Sequence, residues 1–321
     1  MKQKKVAIFF VEGYGFKNLT QAKSWLANFP ELIAIAEVKP FFVETRPNIS
    51  SPDFWQTLAK KIHQEWSKYD GFVVFHAPDS IIYTASAISF GIESLNKPIV
   101  FTGAFGGGSG KARKLSHQND LEELSARANL INAIQVAIMD IAEVVLVSGN
   151  CLIRATRAER SANQTYNAFE TDDTGLLGKI DFSINILPRA KNRTKKNPTL
   201  SSFFEKNIAV IDIFPGFSVK NIPDLVSGKK GALILARDGS LISETLDLFR
   251  KNNLPIAVFH IKNNINSRLY NDIITSGTFT IEAALTKFMW ALGRKKAALQ
   301  DIRMIFSQNI AGERREKGGR I

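Results

Sequence analysis

Asp70-Gly71-Phe72-Val73-Val74-Phe75-His76-Ala77-Pro78-Asp79-Ser80 changes character halfway along. Gly71–Phe75 is a short, unbroken apolar run, the pattern of a parallel strand covered on both faces. His76 ends that run, and Ala77-Pro78-Asp79-Ser80 opens a loop at its carboxyl end, where doubly wound sheets place their ligands. Similar runs occur at Val6–Val11, Pro98–Thr102, Val144–Val147, Ile208–Ile213, Ala232–Ala236 and Pro255–Ile261. Helical patterns lie between them. Ser51-Pro52-Asp53 offers a capping hydroxyl, a proline at the first helical position and an acid in the first turn. Trp55, Leu58, Ala59, Ile62 and Trp66 then recur on one face. Thr280 starts a second helix with Ile281, Ala284, Leu285, Phe288 and Leu292 on one face, and Gly293 is read as its left-handed end. Strands alternating with helices predict a doubly wound α/β fold.

The chain has 321 residues, which predicts two domains. The stretch Leu187–Ser202 breaks the alternation, being basic, polar and without periodicity, with Pro188 and Pro198. The expected division is residues 1–188, a basic linker over 189–204 and residues 205–321.

Hydrophobic residues make up 45 % and charged residues 22 %, which excludes a disordered chain. The single cysteine, Cys151, precedes Leu152 and Ile153 and reads as a buried, inert thiol rather than half of a disulfide. The basic Met1–Lys5 is followed by an apolar run shorter than a signal sequence needs, and no stretch reaches the roughly 20 apolar residues of a membrane span. A cytoplasmic protein without membrane contact is expected.

The net charge of +12 is partly concentrated in Arg189–Lys196 and Arg314–Arg320. No aromatic residues interleave with these runs as a single-strand stacking platform requires, so a solvated linker and tail are expected and nucleic acid is not. The four histidines, His63, His76, His117 and His260, have no metal-site spacing, so no metal is expected. The glycine-rich Thr102–Lys111 fails as a phosphate loop: Phe105 stands where the first glycine belongs and Ala112 where Ser or Thr must follow the lysine. It reads as a flexible loop, Gly106–Lys114, beside a strand end.

The opening stretch, with Tyr83-Thr84-Ala85-Ser86-Ala87 and Asn96-Lys97-Pro98-Ile99-Val100-Phe101-Thr102-Gly103 after it, closely resembles the L-asparaginase family. That family reads strand, His-Gly-Thr-Asp-Thr, helix, then Lys-Pro-Val-strand-Thr-Gly. The resemblance continues at Ala128-Asn129-Leu130-Ile131-Asn132-Ala133 and at Ile213-Phe214-Pro215-Gly216. It is strongest at Thr280–Lys287, Trp290–Gly293 and Asn309-Ile310-Ala311-Gly312-Glu313, and it looks closest to the intracellular branch. It implies a larger N-terminal parallel sheet flanked by helices, a smaller C-terminal α/β domain, and a homodimer or homotetramer. It also implies hydrolysis of the asparagine side-chain amide without metal or cofactor. One threonine attacks the amide, a second works with a lysine, an aspartate holds the substrate's ammonium group and a serine its carboxylate.

The chain departs from that pattern at the chemical positions. After the first strand comes Phe10-Val11-Glu12-Gly13-Tyr14-Gly15. Either Tyr14 occupies the nucleophile position, or Gly13-Tyr14 matches a downstream Gly-Tyr hinge and the loop is deleted. Arg46-Pro47-Asn48 replaces the serine loop, with Pro47 or Asn48 at the serine position; the second threonine is Pro78; Asp79 is retained; the lysine position falls on Arg160. The resemblance thus assigns Tyr14, Asp79 and Arg160 to the catalytic positions, and Asn48, His76, Pro78, Asp79, Ser80 and Ala104 to binding of a small amino-acid-like ligand. Arginine keeps its proton at any working pH and is no general base, and a tyrosine hydroxyl with a reference pKa of about 10 needs strong activation. Loss of catalytic-unit members commonly costs on the order of a thousandfold to a millionfold. The expectation is a diverged family member with impaired or altered amide hydrolysis; the alternative is an inactive member that binds an amino-acid-like ligand or a protein.

Overall fold

The structure, a computed structural model, describes residues 3–12, 16–45, 51–104, 120–161, 168–237, 241–251, 256–260, 274–294 and 298–315. Tyr14, Pro47, Asn48, His117 and the Gly106–Lys114 loop lie outside them. Two compact units divide the chain, Met1–Ser202 and Phe203–Ile321.

In the first unit the apolar runs form β1 (Lys5–Val11), β3 (Gly71–Phe75), β4 (Ile99–Thr102) and β5 (Val144–Ser148), and β2 (Glu37–Val43), whose polar residues hid it from the sequence pattern, joins them. Three further strands follow, β6 (Cys151–Arg154), β7 (Leu176–Ile180) and β8 (Ile184–Ile186). They make one eight-stranded sheet in the order β8-β7-β6-β5-β4-β3-β1-β2. β1 to β5 are parallel throughout. Val6 to Phe10 and all of β3 are buried, which is why these strands are apolar on both faces instead of alternating.

The sheet is not parallel to its end. β5 turns back into β6 through a hairpin pairing Ser148 with Cys151, and Gly149 takes φ +56° in the turn, a conformation glycine adopts without strain. β7 and β8 continue antiparallel. Cys151, expected buried, is a half-buried free thiol because it opens β6 directly after this turn; its burial still raises the thiol's pKa.

The helix predicted after Ser51 runs from Pro52 to Gln64, and the Ser51 hydroxyl accepts from the Phe54 N–H at 3.2 Å. The helix Ile81–Gly91 follows β3 and is buried on nearly every side, which its apolar and small residues permit. Gly71 opens β3 against the end of the helix Asp120–Ala137: a Cβ there would lie 1.9 Å from the Ala137 carbonyl oxygen. Arg193, within the basic run expected as a solvated linker, is anchored on this same corner. Its guanidinium donates to the carbonyls of Met139, Asp70 and Ala137 at 2.7, 2.7 and 3.1 Å. Lys97, one of the residues carrying the family resemblance, likewise works structurally, donating to the Trp66 and Tyr69 carbonyls at 2.7 Å.

The second unit has its own parallel sheet of β9 (Ile208–Ile213), β10 (Gly231–Ala236), β11 (Ile256–His260) and β12 (Ile274–Thr275), in that order. Its core includes Ile211, Ile213, Ile222, Ile234 and Phe259. Thr280 caps the helix Ile281–Leu292 through the Ala283 N–H. Gly293 does not end that helix left-handed: its φ and ψ are −72° and −11°. Glycine is required there by close approach, since a Cβ would sit 2.3 Å from the Phe203 carbonyl oxygen. Lys287 on this helix is fully buried and ion-paired with Glu313. No helix among the described residues is long and apolar enough to cross a membrane.

Candidate functional site at the sheet's switch point

Chain order reverses between β1 and β3: β2 lies on one side of β1 and β3 on the other. In open α/β sheets the carboxyl ends of the strands at such a point are where ligands commonly bind. The residues there are Glu12 after β1 and His76 to Ser80 after β3.

Glu12 is committed to structure. Its N–H donates to the Val43 carbonyl at 2.9 Å. Its carboxylate accepts from the Thr45 N–H at 2.9 Å and the Thr45 hydroxyl at 3.3 Å, which ties the ends of β1 and β2 together.

His76 extends the ladder by donating its backbone N–H to the Thr102 carbonyl at 2.8 Å. Its ring is buried, with ring centres of Phe54 and Phe101 at 6.1 and 6.2 Å. Desolvation lowers its pKa to about 4, against a smaller raising effect of the Ala77 carbonyl, so the imidazole is neutral at physiological pH. Nδ1 lies 2.7 Å from the Ala77 carbonyl oxygen, which can only accept, and this fixes the proton on Nδ1 and leaves Nε2 an acceptor. Nε2 has no hydrogen-bond partner among the described residues, and neither do the buried Ser80 and Thr84 hydroxyls. The neutral ring thus sits at the start of the loop that carries Pro78 and Asp79, bonded to the Ala77 carbonyl.

Pro78 is half-buried and Asp79 is exposed. Both meet Arg160. The Arg160 Nη2 donates to the Pro78 carbonyl at 3.0 Å and to Asp79 Oδ1 at 3.2 Å. Residues 159–160 pair antiparallel with 169–170, Arg160 opposite Phe169, and the guanidinium carbon lies 5.9 Å from the buried Phe169 ring centre. The Arg160 cation therefore holds the Pro78 backbone and also the neighbouring Asp79 carboxylate.

The loop after β4 is secured separately. Thr102 donates its hydroxyl to the Val147 carbonyl at 3.1 Å, and Asn129 donates to the Gly103 carbonyl at 2.9 Å. Ala104 is buried in the core beside them. The sequence placed Asp79 and Arg160 in one site, and the structure brings them into contact. It gave no sign of Phe169 or Glu12, whose roles depend on a cross-strand neighbour and on the end of β2. No group of three His, Cys, Asp or Glu that could hold a metal occurs among the described residues. Chemically, the described site offers a carboxylate and a permanent cation. The hydroxyls of Ser80 and Thr84 beside them have no hydrogen-bond partner among the described residues.

A family model for the asparaginase N-terminal domain matches residues 10–192, more than half of the chain. The chain belongs to the asparaginase family. L-asparaginase 1 of Escherichia coli K12 is 28 % identical over 288 residues, covering 82 % of this chain and 80 % of that protein. The crystal structure of L-asparaginase I from Vibrio cholerae matches with a TM-score of 0.80 at 25 % identity, over 97 % of this chain and 99 % of that one. The thermostable L-asparaginase from Thermococcus kodakarensis matches with a TM-score of 0.76 at 21 % identity, over 98 % and 100 % of the two chains, a likeness of fold.

Proposed function

We propose that this family member has impaired side-chain amide hydrolysis and uses the crevice at the switch point to bind a small amino-acid-like ligand. One observation carries the reading: the Arg160 guanidinium bonds both Asp79 and the Pro78 carbonyl. Acyl transfer to an alcohol needs a hydroxyl and a base that takes its proton. At the two positions where the family supplies a threonine and a lysine, this chain has a ring without a hydroxyl and a cation that does not act as a base. The retained strand, loop and helix around Asp79 keep a place for a ligand.

Ammonia release from asparagine and glutamine tests this, with L-asparaginase 1 of Escherichia coli assayed in parallel. Turnover at least about a thousandfold below that enzyme is expected, in line with loss of catalytic-unit members. Turnover within tenfold of it, abolished by Asp79→Ala, defeats the reading. Thermal-shift measurements with aspartate and asparagine then report whether binding persists without turnover.

A further inference from the structure

We propose that the strap Arg189–Lys196 is a docking surface for the phosphate backbone of a nucleic-acid duplex, engaged through charge and without regard to base sequence. It lies at the other end of the first unit's sheet from Asp79, and the proposal is independent of the preceding reading.

The strap is fixed along its length. The Arg189 carbonyl accepts from the Arg154 guanidinium at 3.1 Å, and Ala190 is buried in the core. The Lys191 N–H donates to the Glu143 carboxylate at 2.8 Å, and its carbonyl accepts from the Ala142 N–H at 2.7 Å. The Arg193 N–H donates to the Asp140 carboxylate at 2.8 Å, while its guanidinium holds the carbonyls of Met139, Asp70 and Ala137. Beyond it, residues 199–200 pair antiparallel with 92–93. Asp70 and Glu143 directly precede β3 and β5, so the strap crosses the amino ends of these strands.

What the strap presents is positive charge. Arg189, Lys191, Lys195 and Lys196 are exposed, and their side chains form no ion pair among the described residues. Between Asp181 and Glu205 the chain has no acid. The acids that approach the strap are engaged by other groups. Glu143 pairs with Arg154, Asp140 takes the Arg193 N–H, and Asp70 takes the Lys4 ammonium and the Lys5 N–H. They tether backbone and leave the exposed cations of the strap uncompensated.

The missing aromatic residues exclude base stacking, but contact with a duplex backbone needs cations and no ring. Lys and Arg that neutralise phosphates release counterions, and cations on a fixed strap lose less freedom in doing so. An anionic bilayer fits less well: none of the exposed large apolar side chains falls between residues 187 and 200, where one could enter the lipid.

Fluorescence anisotropy of a short labelled DNA duplex, titrated with the full chain, tests this. If all of these cations engage phosphates, the logarithm of the binding constant falls against that of the salt concentration with a slope of about −3 to −4. Affinity then drops roughly 100-fold between about 50 and 200 mM salt. Duplexes of unrelated sequence should bind equally. Arg189→Gln, Lys191→Gln, Lys195→Gln and Lys196→Gln combined should weaken binding at least about tenfold at the lower salt and flatten the slope. Lys220→Gln, Lys229→Gln, Lys230→Gln and Lys251→Gln combined remove the same charge from exposed positions of the second unit and should stay within about twofold. Far-UV circular dichroism checks both folds; if the strap variant is unfolded, the single changes Lys195→Gln and Lys196→Gln decide, each lowering the slope by about 0.9. Absence of duplex binding at the lower salt, or an equal loss in the second-unit variant, overturns the proposal. Binding to phosphatidylserine vesicles but not to the duplex also overturns it, in favour of a membrane surface.

Discussion

His76 shows how much a single buried side chain can report. Burial beside Phe54 and Phe101 brings its pKa from 6.5 down to about 4. The folded value is the lower one, so between these values the unfolded chain binds the proton more readily than the folded chain does. The stability this group contributes is complete above pH 6.5 and is lost progressively as pH falls toward 4, by up to about 3 kcal/mol. Urea unfolding at pH 7, 5.5 and 4.5 should show this slope in the native chain and a shallower one in His76→Leu; equal slopes would refute the assignment. Asp79 and Arg160 differ from His76 in scale. Their ion pair is exposed and contributes about 0–1 kcal/mol to stability.

At the level of elements, the ends of helices and strands decide more than their middles. The caps at Ser51 and Thr280 were legible because a capping hydroxyl acts on an N–H three residues away. The glycines were not, because what excludes a side chain at Gly71 and Gly293 is backbone far away in sequence, Ala137 and Phe203. Gly71→Ala is expected to cost about 3 kcal/mol, since a Cβ 1.9 Å from a carbonyl oxygen forces β3 away from the helix Asp120–Ala137 and disturbs the carbonyls that Arg193 holds. Ser51→Ala, which removes one capping bond, should cost about 1 kcal/mol. Chemical denaturation of the two variants compares them directly, and a Gly71→Ala loss no larger than that of Ser51→Ala contradicts the packing at this corner.

Across the whole molecule, each of the two units carries its own sheet and core, and the second is pinned by the Lys287–Glu313 pair. The ammonium also donates to the Gln308 carbonyl at 2.7 Å and lies 4.9 Å from the Phe279 ring centre, while Glu313 accepts the N–H groups of Ile310 and Ala311 at 3.1 and 2.7 Å. Burial lowers the Lys287 pKa and Glu313 opposes that shift. Removing one member leaves the other charge buried, and that commonly costs about 3–5 kcal/mol. Lys287→Met should lose stability on this scale, with Glu313→Gln in the same chain recovering part of it. Thermal unfolding of the single and double variants measures the coupling, and additive losses would show that the two side chains do not act as a pair.

The sequence by itself determined the seven apolar strands, the α/β class, the two helix caps and the family resemblance. These are local features: burial on both faces makes a strand continuously apolar, and a cap satisfies an N–H within one turn. Only the tertiary structure decided the β1–β3 switch point, the antiparallel continuation through β6 to β8, and the meeting of Asp79 with Arg160 across 81 residues of chain. No periodicity encodes such a meeting, because it depends on which strands end side by side, and sheet order is settled by the packing of the whole unit.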